Sequence, residues 1–141
     1  MNNLEKAKKL LAEGNLTCVM CSDSDTLTFT ARGVKPLVML LRDGKRLDTY
    51  SAADKVVGRA TAFLYVLLGV KRVHANVMSR AALSVLNDLG AEASFDTLAD
   101  NIINRAGDGI CPFEAAVLGI NDPDAAYVAI LDKMREMRIE I

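Results

Sequence analysis

The feature that most restricts the fold of this chain is a charge-free apolar segment that extends from Ala60 to Val70. A helix that is apolar on every side is buried on most of its surface, so this segment belongs against a sheet and under other elements. It is too short to span a bilayer. Of the 141 residues, 51% are hydrophobic, which is enough for a core of ordinary size. We therefore expect residues 1–141 to form a single domain.

The residue pattern around this segment predicts alternating helices and strands. Apolar residues at helical spacing predict an opening helix that ends at Gly14-Asn15, and two strands follow at 16–21 and 26–31. The later predicted elements are a short helix at 36–41, a long helix from Ala52 to Leu68, a strand at 71–78, a helix at 80–89, a weak strand at 93–95, and helices near 98–104, from Pro112 and at 123–137. This order predicts an α/β fold with a mixed sheet sandwiched by helices.

A group of polar residues opens the predicted long helix and forms the first candidate site. Ser51 fits the N-cap and Asp54 the third helical position of a capping box, and Lys55 and Arg59 follow within two turns. Gly58 costs about 1 kcal/mol against alanine inside a helix, so a backbone or a ligand is expected to pack beside it. Free amides and positive side chains at a helix start attract anions. The group indicates either a ligand pocket, in which Asp54 takes a hydroxyl or amine, or capping with tight packing.

The second candidate site lies in the segment from Asn104 to Glu114. Pro112 suits the first helical position, which puts Cys111 at the N-cap with Glu114 three residues later. The free amides of a helix start favour a thiolate, and such cysteines become nucleophilic. The loop before Cys111 supplies candidate ligand-positioning residues: Asn104, Arg105 and Asp108. The alternative is a small buried cysteine, with Glu114 acting only as a cap.

Other signals argue against metal and nucleic-acid sites. Cys18 and Cys21 form a C-x-x-C pattern, but strand alternation sends them to opposite faces and no second pair is present. His74 alternates with apolar neighbours and is interpreted as a surface or interface histidine. A net charge of −1 lacks the positive excess that nucleic-acid binding needs. The basic run near the N-terminus is typical of a solvated helix face: Lys6, Lys8 and Lys9.

The composition also bounds the compartment and the partners. The first six residues carry charge where a signal peptide needs an apolar stretch, and three cysteines do not make a disulfide framework. We expect a cytoplasmic protein with reduced thiols, no metal, no cofactor and no membrane partner. Homo-oligomer formation stays open at this point.

Three segments together resemble the bacterial family called domain of unknown function 1893, and the likeness covers nearly the whole chain. They are the residues from Ala53 to Ala60, the pair Asn104-Arg105, and Cys111-Pro112-Phe113-Glu114. That family looks like a branch of the cytidine-deaminase-like fold, so the resemblance implies a three-layer α/β/α sandwich. Related folds often handle nucleotides or their bases, which implies a nucleotide-like ligand by analogy.

The resemblance also bears on deamination. Active deaminases carry zinc ligands at the starts of two helices. In this chain those places look like the segments 51–54 and 78–82, and neither contains a zinc ligand. Hydrolytic deamination needs zinc to activate water, so we do not expect zinc-dependent deaminase activity.

Three hypotheses about function follow. The first is an enzyme, or a former enzyme, that binds a nucleotide-like molecule at the helix start of Asp54 and Arg59, with Cys111 as nucleophile or acid/base. The second is a non-catalytic ligand-sensing or protein-interaction module on the same fold. In the third, both motifs are structural and the function lies in a protein interface that the sequence does not locate. The sequence does not fix whether Cys111 and Asp54 share one pocket.

Overall fold

The computed structural model describes residues 1–31, 33–103, 107 and 109–140. Its helices are α1 (Asn3–Glu13), α2 (Lys35–Arg42), α3 (Arg59–Leu68), α4 (Arg80–Asp88), α5 (Pro112–Ala116) and α6 (Pro123–Glu136). Its strands are β1 (Cys18–Cys21), β2 (Thr26–Phe29), β3 (Ser51–Val57), β4 (Arg72–Ser79) and β5 (Glu92–Ala99).

The strands form one mixed sheet in the order β2-β1-β3-β4-β5. Strand β1 is antiparallel to both of its neighbours, whereas β3, β4 and β5 are parallel. Two parallel strands in one sheet need a crossover between them, and α3 and α4 supply it here. The predicted α/β class with a mixed sheet is confirmed.

The two faces of the sheet are covered unequally. On one face α1 packs Ala7 and Leu11 against Val19, Cys21 and Ala53. The other face carries the larger core, in which α3 lies centrally and contacts α2, α4, α5 and α6. The charge-free segment is therefore buried in the middle of the fold, as its composition predicts.

The predicted helix from Ala52 to Leu68 is wrong in its first part. Residues 51–57 form β3, which pairs with β1 on one side and β4 on the other, and the helix starts only at Arg59. Ser51 is therefore not an N-cap, and Asp54 is not in the first turn of a helix. The short polar pattern imitated a capping box, but pairing on both sides overrides local propensity.

The predicted helix near 98–104 is also wrong. Leu98 and Ala99 end β5, which is longer than the weak strand expected at 93–95, and residues 100–103 are not helical. Asn104 lies outside the described residues. The remaining predicted helices and strands are present with shifts of a few residues at their ends.

In the described part of the chain, no helix combines the length and the apolar character that crossing a membrane requires.

Candidate functional site

The start of α3 is capped by a carboxylate that comes from α5. Gly58 is the N-cap, with extended backbone (φ −99°, ψ −177°) and no side chain to cap the helix. Glu114 accepts a hydrogen bond from the amide of Arg59 at 2.6 Å and one from the amide of Ala60 at 2.8 Å. It thereby satisfies two of the amides that a helix start leaves unpaired, at the positive end of the helix dipole.

Gly58 is needed because of this carboxylate. A Cβ at position 58 would lie 2.8 Å from Glu114 Oε2 and closer still to the rest of the carboxyl group. The sequence predicted a backbone or a ligand beside Gly58, and the structure has the Glu114 side chain there instead. An anionic ligand at this helix start would have to compete with an anion that the chain itself supplies.

The side chain of Arg59 connects α3 to the loop between α5 and α6. Its guanidinium donates to the carbonyl of Ile120 and, at 2.9 Å, to Asn121 Oδ1. It also lies over the ring of Phe63, 5.2 Å from the centroid. Arg59 Nε is buried and makes no hydrogen bond to the described residues. These contacts hold the loop against the helix, so the predicted ligand-binding arginine is engaged within the chain.

Asp54 belongs to a different cluster, between the sheet and α3. Tyr65 donates a hydrogen bond to Asp54 Oδ2 at 2.7 Å, and the Cys18 thiol lies 3.1 Å from the Tyr65 hydroxyl. Cys18 and Asp54 are direct partners in the β1–β3 register, which brings their side chains to one face of the sheet. The cluster therefore joins two strands to the buried central helix.

Burial controls the protonation of this cluster. It raises the pKa of Asp54 from 3.8 to about 6, against the opposing hydrogen bond from Tyr65. Burial, followed by the nearby Asp54 charge, raises the pKa of the Cys18 thiol and that of the Tyr65 hydroxyl. Cys18 is thus held as a neutral thiol, which is a poor nucleophile and a poor metal ligand.

The other residues predicted around Asp54 do not gather into a pocket. Ser51 is buried in β3, opposite Cys21 in one neighbouring strand and Arg72 in the other. Lys55 is exposed. Cys18 and Cys21 pack on opposite faces of the sheet, so their predicted placement is confirmed. Among the described residues no three His, Cys, Asp or Glu side chains are grouped so that they could hold a metal ion.

Cys111 is the N-cap residue of α5, as predicted. Its side chain is half-buried and packs against the larger core, and its amide donates to the carbonyl of Ile102 at 2.9 Å. The helix that it opens has only five residues, so its dipole is small. The predicted partners in the preceding loop lie outside the described residues: Asn104, Arg105 and Asp108. The structure therefore brings Gly58, Arg59 and Glu114 together, and it leaves Asp54 in a separate cluster.

A different group of polar residues lines an open pocket on the opposite face of the sheet. This pocket, here called the α1 pocket, has a volume of about 170 Å³ and lies between α1 and strands β4 and β5. Its lining consists of Lys8, Leu11, Ala12, His74, Asn76 and Asp96. It lies where the cover that α1 gives to β1 and β3 becomes thinner over β4 towards β5.

His74 is the buried residue of this pocket, with a side chain that is only 5% exposed. Nδ1 lies 2.8 Å from Ser94 Oγ, and Nε2 lies 3.3 Å from Asp96 Oδ1. Burial lowers the pKa of His74, and Lys8 lowers it further, whereas Asp96 raises it. A neutral ring satisfies both contacts if Ser94 donates to Nδ1 and Nε2 donates to Asp96. Of the two expected positions, surface or interface, the surface one is wrong, because β5 and α1 enclose the ring.

Part of this pocket could have been found in the sequence. Strand alternation puts His74 and Asn76 on one face of β4, and the parallel register brings Ser94 opposite His74. The pairing of His74 with Ser94 can be predicted only when β5 is recognised at its full length. Lys8 carried no signal, because it sits in a basic run that is typical of a solvated helix face.

These observations define an α/β protein with a mixed five-stranded sheet, an internally capped central helix and a polar pocket on the thinly covered face. A family model described as TM1506, domain of unknown function (DUF1893), matches residues 6–134, so the chain belongs to that family. The crystal structure of a DUF1893 family protein from Thermotoga maritima is 29% identical, covers 93% of this chain and 89% of its own, and has a TM-score of 0.85. No match was found among curated proteins.

Proposed function

We propose that this protein is a non-catalytic small-molecule-binding module and that its ligand binds in the α1 pocket. The observation that carries the proposal is the buried His74, which holds Asp96 at the pocket while Ser94 fixes the other ring nitrogen. Sites that bind small molecules combine an apolar wall with a few positioned polar groups. Leu11 and Ala12 supply such a wall here.

A second candidate function is the nucleotide-like ligand at the α3 start with Cys111 as nucleophile. The resemblance supports it, whereas the Glu114 cap weighs against it, because the amides that would attract a phosphate already bind a carboxylate. It stays a prediction with a direct test. If Cys111 is catalytic, Cys111→Ser abolishes turnover and leaves the melting temperature nearly unchanged. A large loss of stability instead identifies Cys111 as a packing residue.

We also propose that the fold is a zinc-less branch of the cytidine-deaminase-like group. The order of helix, hairpin, helix, strand, helix and strand supports this assignment. Because α3 begins at Arg59, the first zinc-ligand place corresponds to the segment 58–60 rather than 51–54, and the second to the start of α4 at Ser79-Arg80. Neither contains a His or Cys, so the residues do not fit a zinc ion.

The thermal shift of the full chain against a panel of small molecules tests the binding function. The panel contains nucleotides, nucleosides, nucleotide sugars and amino acids. A ligand of the native protein raises the melting temperature by mass action. Asn76→Leu fills the α1 pocket from an exposed strand position and should erase the shift. Asn87→Leu, at an exposed position of α4 on the other face, is the matched control and should retain the shift.

Two outcomes contradict the proposal. One is the absence of a shift for every compound at high concentration. The other is a shift that Asn76→Leu and Asn87→Leu leave equally intact, which would move the ligand out of the α1 pocket.

Three further expectations remain proposals: a single domain over residues 1–141, a cytoplasmic location, and the absence of nucleic-acid and membrane partners. Light scattering of the purified chain decides whether it is a monomer or a homo-oligomer.

A further inference from the structure

We propose that the α1 pocket binds a small zwitterion of the α-amino-acid class, with the carboxylate of the ligand on Lys8 and its ammonium group on Asp96. This inference rests on the proposed binding function and adds the chemical class of the ligand. Its evidence is the charge on the pocket walls, the pocket volume and the way in which His74 is held.

Two opposite charges line the pocket from different elements. Lys8 comes from α1 and Asp96 from β5. Lys8 forms no ion pair with any carboxylate in the described part of the chain. Asp96 contacts His74, but that ring is neutral at neutral pH and does not cancel the charge. A ligand with one anionic and one cationic group complements both walls, and charge-assisted hydrogen bonds are the stronger kind.

The pocket volume limits the ligand to a small molecule. The volume of about 170 Å³ is below the range of about 300–1,000 Å³ that pockets for drug-sized ligands occupy. An amino acid fits this volume, and a nucleotide would leave most of its surface outside. Leu11 and Ala12 offer apolar contact, which favours an aliphatic side chain on the ligand.

His74 and Asn76 give the pocket its geometry. His74 is a positioning residue, because both of its nitrogens are engaged by Ser94 and Asp96 and its proton stays on the ring. Asn76 is exposed on the same face of β4. Its amide has a donor for a carboxylate and an acceptor for an ammonium group, so it can contact both ends of a zwitterion.

Isothermal titration of the full chain with L-leucine and two relatives tests the ligand class. L-leucinamide lacks the carboxylate, and 4-methylpentanoate lacks the ammonium group. We expect L-leucine to bind and each relative to bind about 10-fold to 100-fold more weakly, since each loses a charge-assisted contact. Equal binding of either relative would overturn the zwitterion.

Variants assign the two ends of the ligand. Lys8→Gln should weaken the binding of L-leucine and leave the binding of L-leucinamide unchanged. Asp96→Asn should weaken the binding of L-leucine and leave the binding of 4-methylpentanoate unchanged. Lys9→Gln, on the same helix and paired with Glu13, and Glu92→Gln, on the same strand and paired with Arg72, are the matched controls.

The outcomes separate the two proposals. If nucleotides bind in the α1 pocket and no amino acid does, the ligand class is wrong and the binding function stands. If no compound binds, both are wrong. If Lys8→Gln and Asp96→Asn each bind L-leucine as tightly as the original chain does, the assigned ends are wrong.

Discussion

At the scale of single residues, Gly58 and Glu114 together cap the start of α3. The helix start needs an acceptor that its own N-cap lacks, and the carboxylate reaches it only because position 58 has no Cβ. Removing the cap with Glu114→Ala should destabilise the fold by about 1–2 kcal/mol. Gly58→Ala should cost a similar amount, because the new Cβ displaces the same carboxylate. Denaturant unfolding measures both.

The double variant shows whether the two costs share a cause. With Glu114 already gone, Gly58→Ala has nothing to displace, and its cost should fall to about 0.5–1 kcal/mol, the amount by which alanine is a poorer N-cap residue than glycine. The coupling energy between the two substitutions is then about 1 kcal/mol, as expected for residues in contact. Glu136→Ala, on the exposed surface of α6, controls for the loss of a carboxylate. Simple additivity of the two costs would contradict the shared cause.

The three cysteines should differ sharply in their reaction with iodoacetamide. Cys18 and Cys21 are buried, and burial together with Asp54 raises the pKa of Cys18. Both should therefore be labelled only when the protein unfolds. Cys111 is half-buried and should be labelled in the native state. Peptide mass spectrometry across pH gives the three labelling rates. If Cys18 of the native protein is labelled as fast as Cys111, Cys18 is not buried.

At the scale of elements, periodicity located most helices and strands but confused a strand with a helix at 51–57. Ser51 and Asp54 match a capping box as well as they match two positions of a strand, because the segment is short and rich in alanine. Residues 51–57 form a strand because they pair with β1 and β4, and this pairing cannot be read from a single sequence. Gly58 marked the true boundary, since it ends the strand and starts the helix.

The candidate site was predictable only where its residues are close in sequence. The pair of Cys111 and Glu114 at the start of α5 was found through Pro112. The contact between Glu114 and Gly58 spans more than fifty positions and depends on how α5 packs on α3. The α1 pocket likewise needs the register of β4 with β5, which the sequence did not reveal.

The contact that joins the C-terminal helices to α3 can be tested through Arg59. Arg59→Lys keeps the charge, but its ammonium group ends one atom short of Nη2, the nitrogen that donates to both Ile120 and Asn121. At least one of these hydrogen bonds should therefore be lost. We expect a loss of about 1–3 kcal/mol in stability. We also expect the substitution to increase the rate of hydrogen exchange more in the amides of α6 than in those of α4.

Arg135→Lys on exposed α6 is the control for this change. Among the described residues that side chain pairs only with Asp132, three residues away on the same helix, and such exposed pairs contribute little. Uniform exchange changes across α4 and α6 in Arg59→Lys would show that the arginine stabilises the whole fold rather than the docking of α6.

At the scale of the whole molecule, the unequal covering of the sheet separates the larger core from the proposed binding pocket. The face under α3 carries the larger core and the buried cluster of Asp54, Tyr65 and Cys18. The α1 face leaves the polar side chains of β4 and β5 beside an open pocket. Changes to the exposed pocket residues Lys8, Asn76 and Asp96 should therefore alter the proposed binding with little effect on stability, whereas changes under α3 should do the reverse.

The buried carboxylate should make the stability of the whole molecule fall as pH rises. The folded-state pKa of Asp54 is about 6, above the ordinary 3.8, so between these values the folded protein binds more protons than the unfolded chain. Its stability contribution is then complete below about pH 4 and is lost as pH rises through about 6. The loss amounts to at most about 3 kcal/mol.

Asp54→Asn isolates this effect, because an amide of the same shape accepts the Tyr65 hydrogen bond without a charge. Urea unfolding between pH 4 and pH 8 should show the free energy of unfolding falling more in the original chain than in Asp54→Asn. Asp25→Asn is the matched control, since Asp25 accepts a tyrosine hydrogen bond from Tyr50 on the exposed surface. It should follow the pH profile of the original chain. Parallel profiles for the original chain and Asp54→Asn would mean that Asp54 is solvated, and that the cluster under α3 is open to water rather than sealed by the central helix.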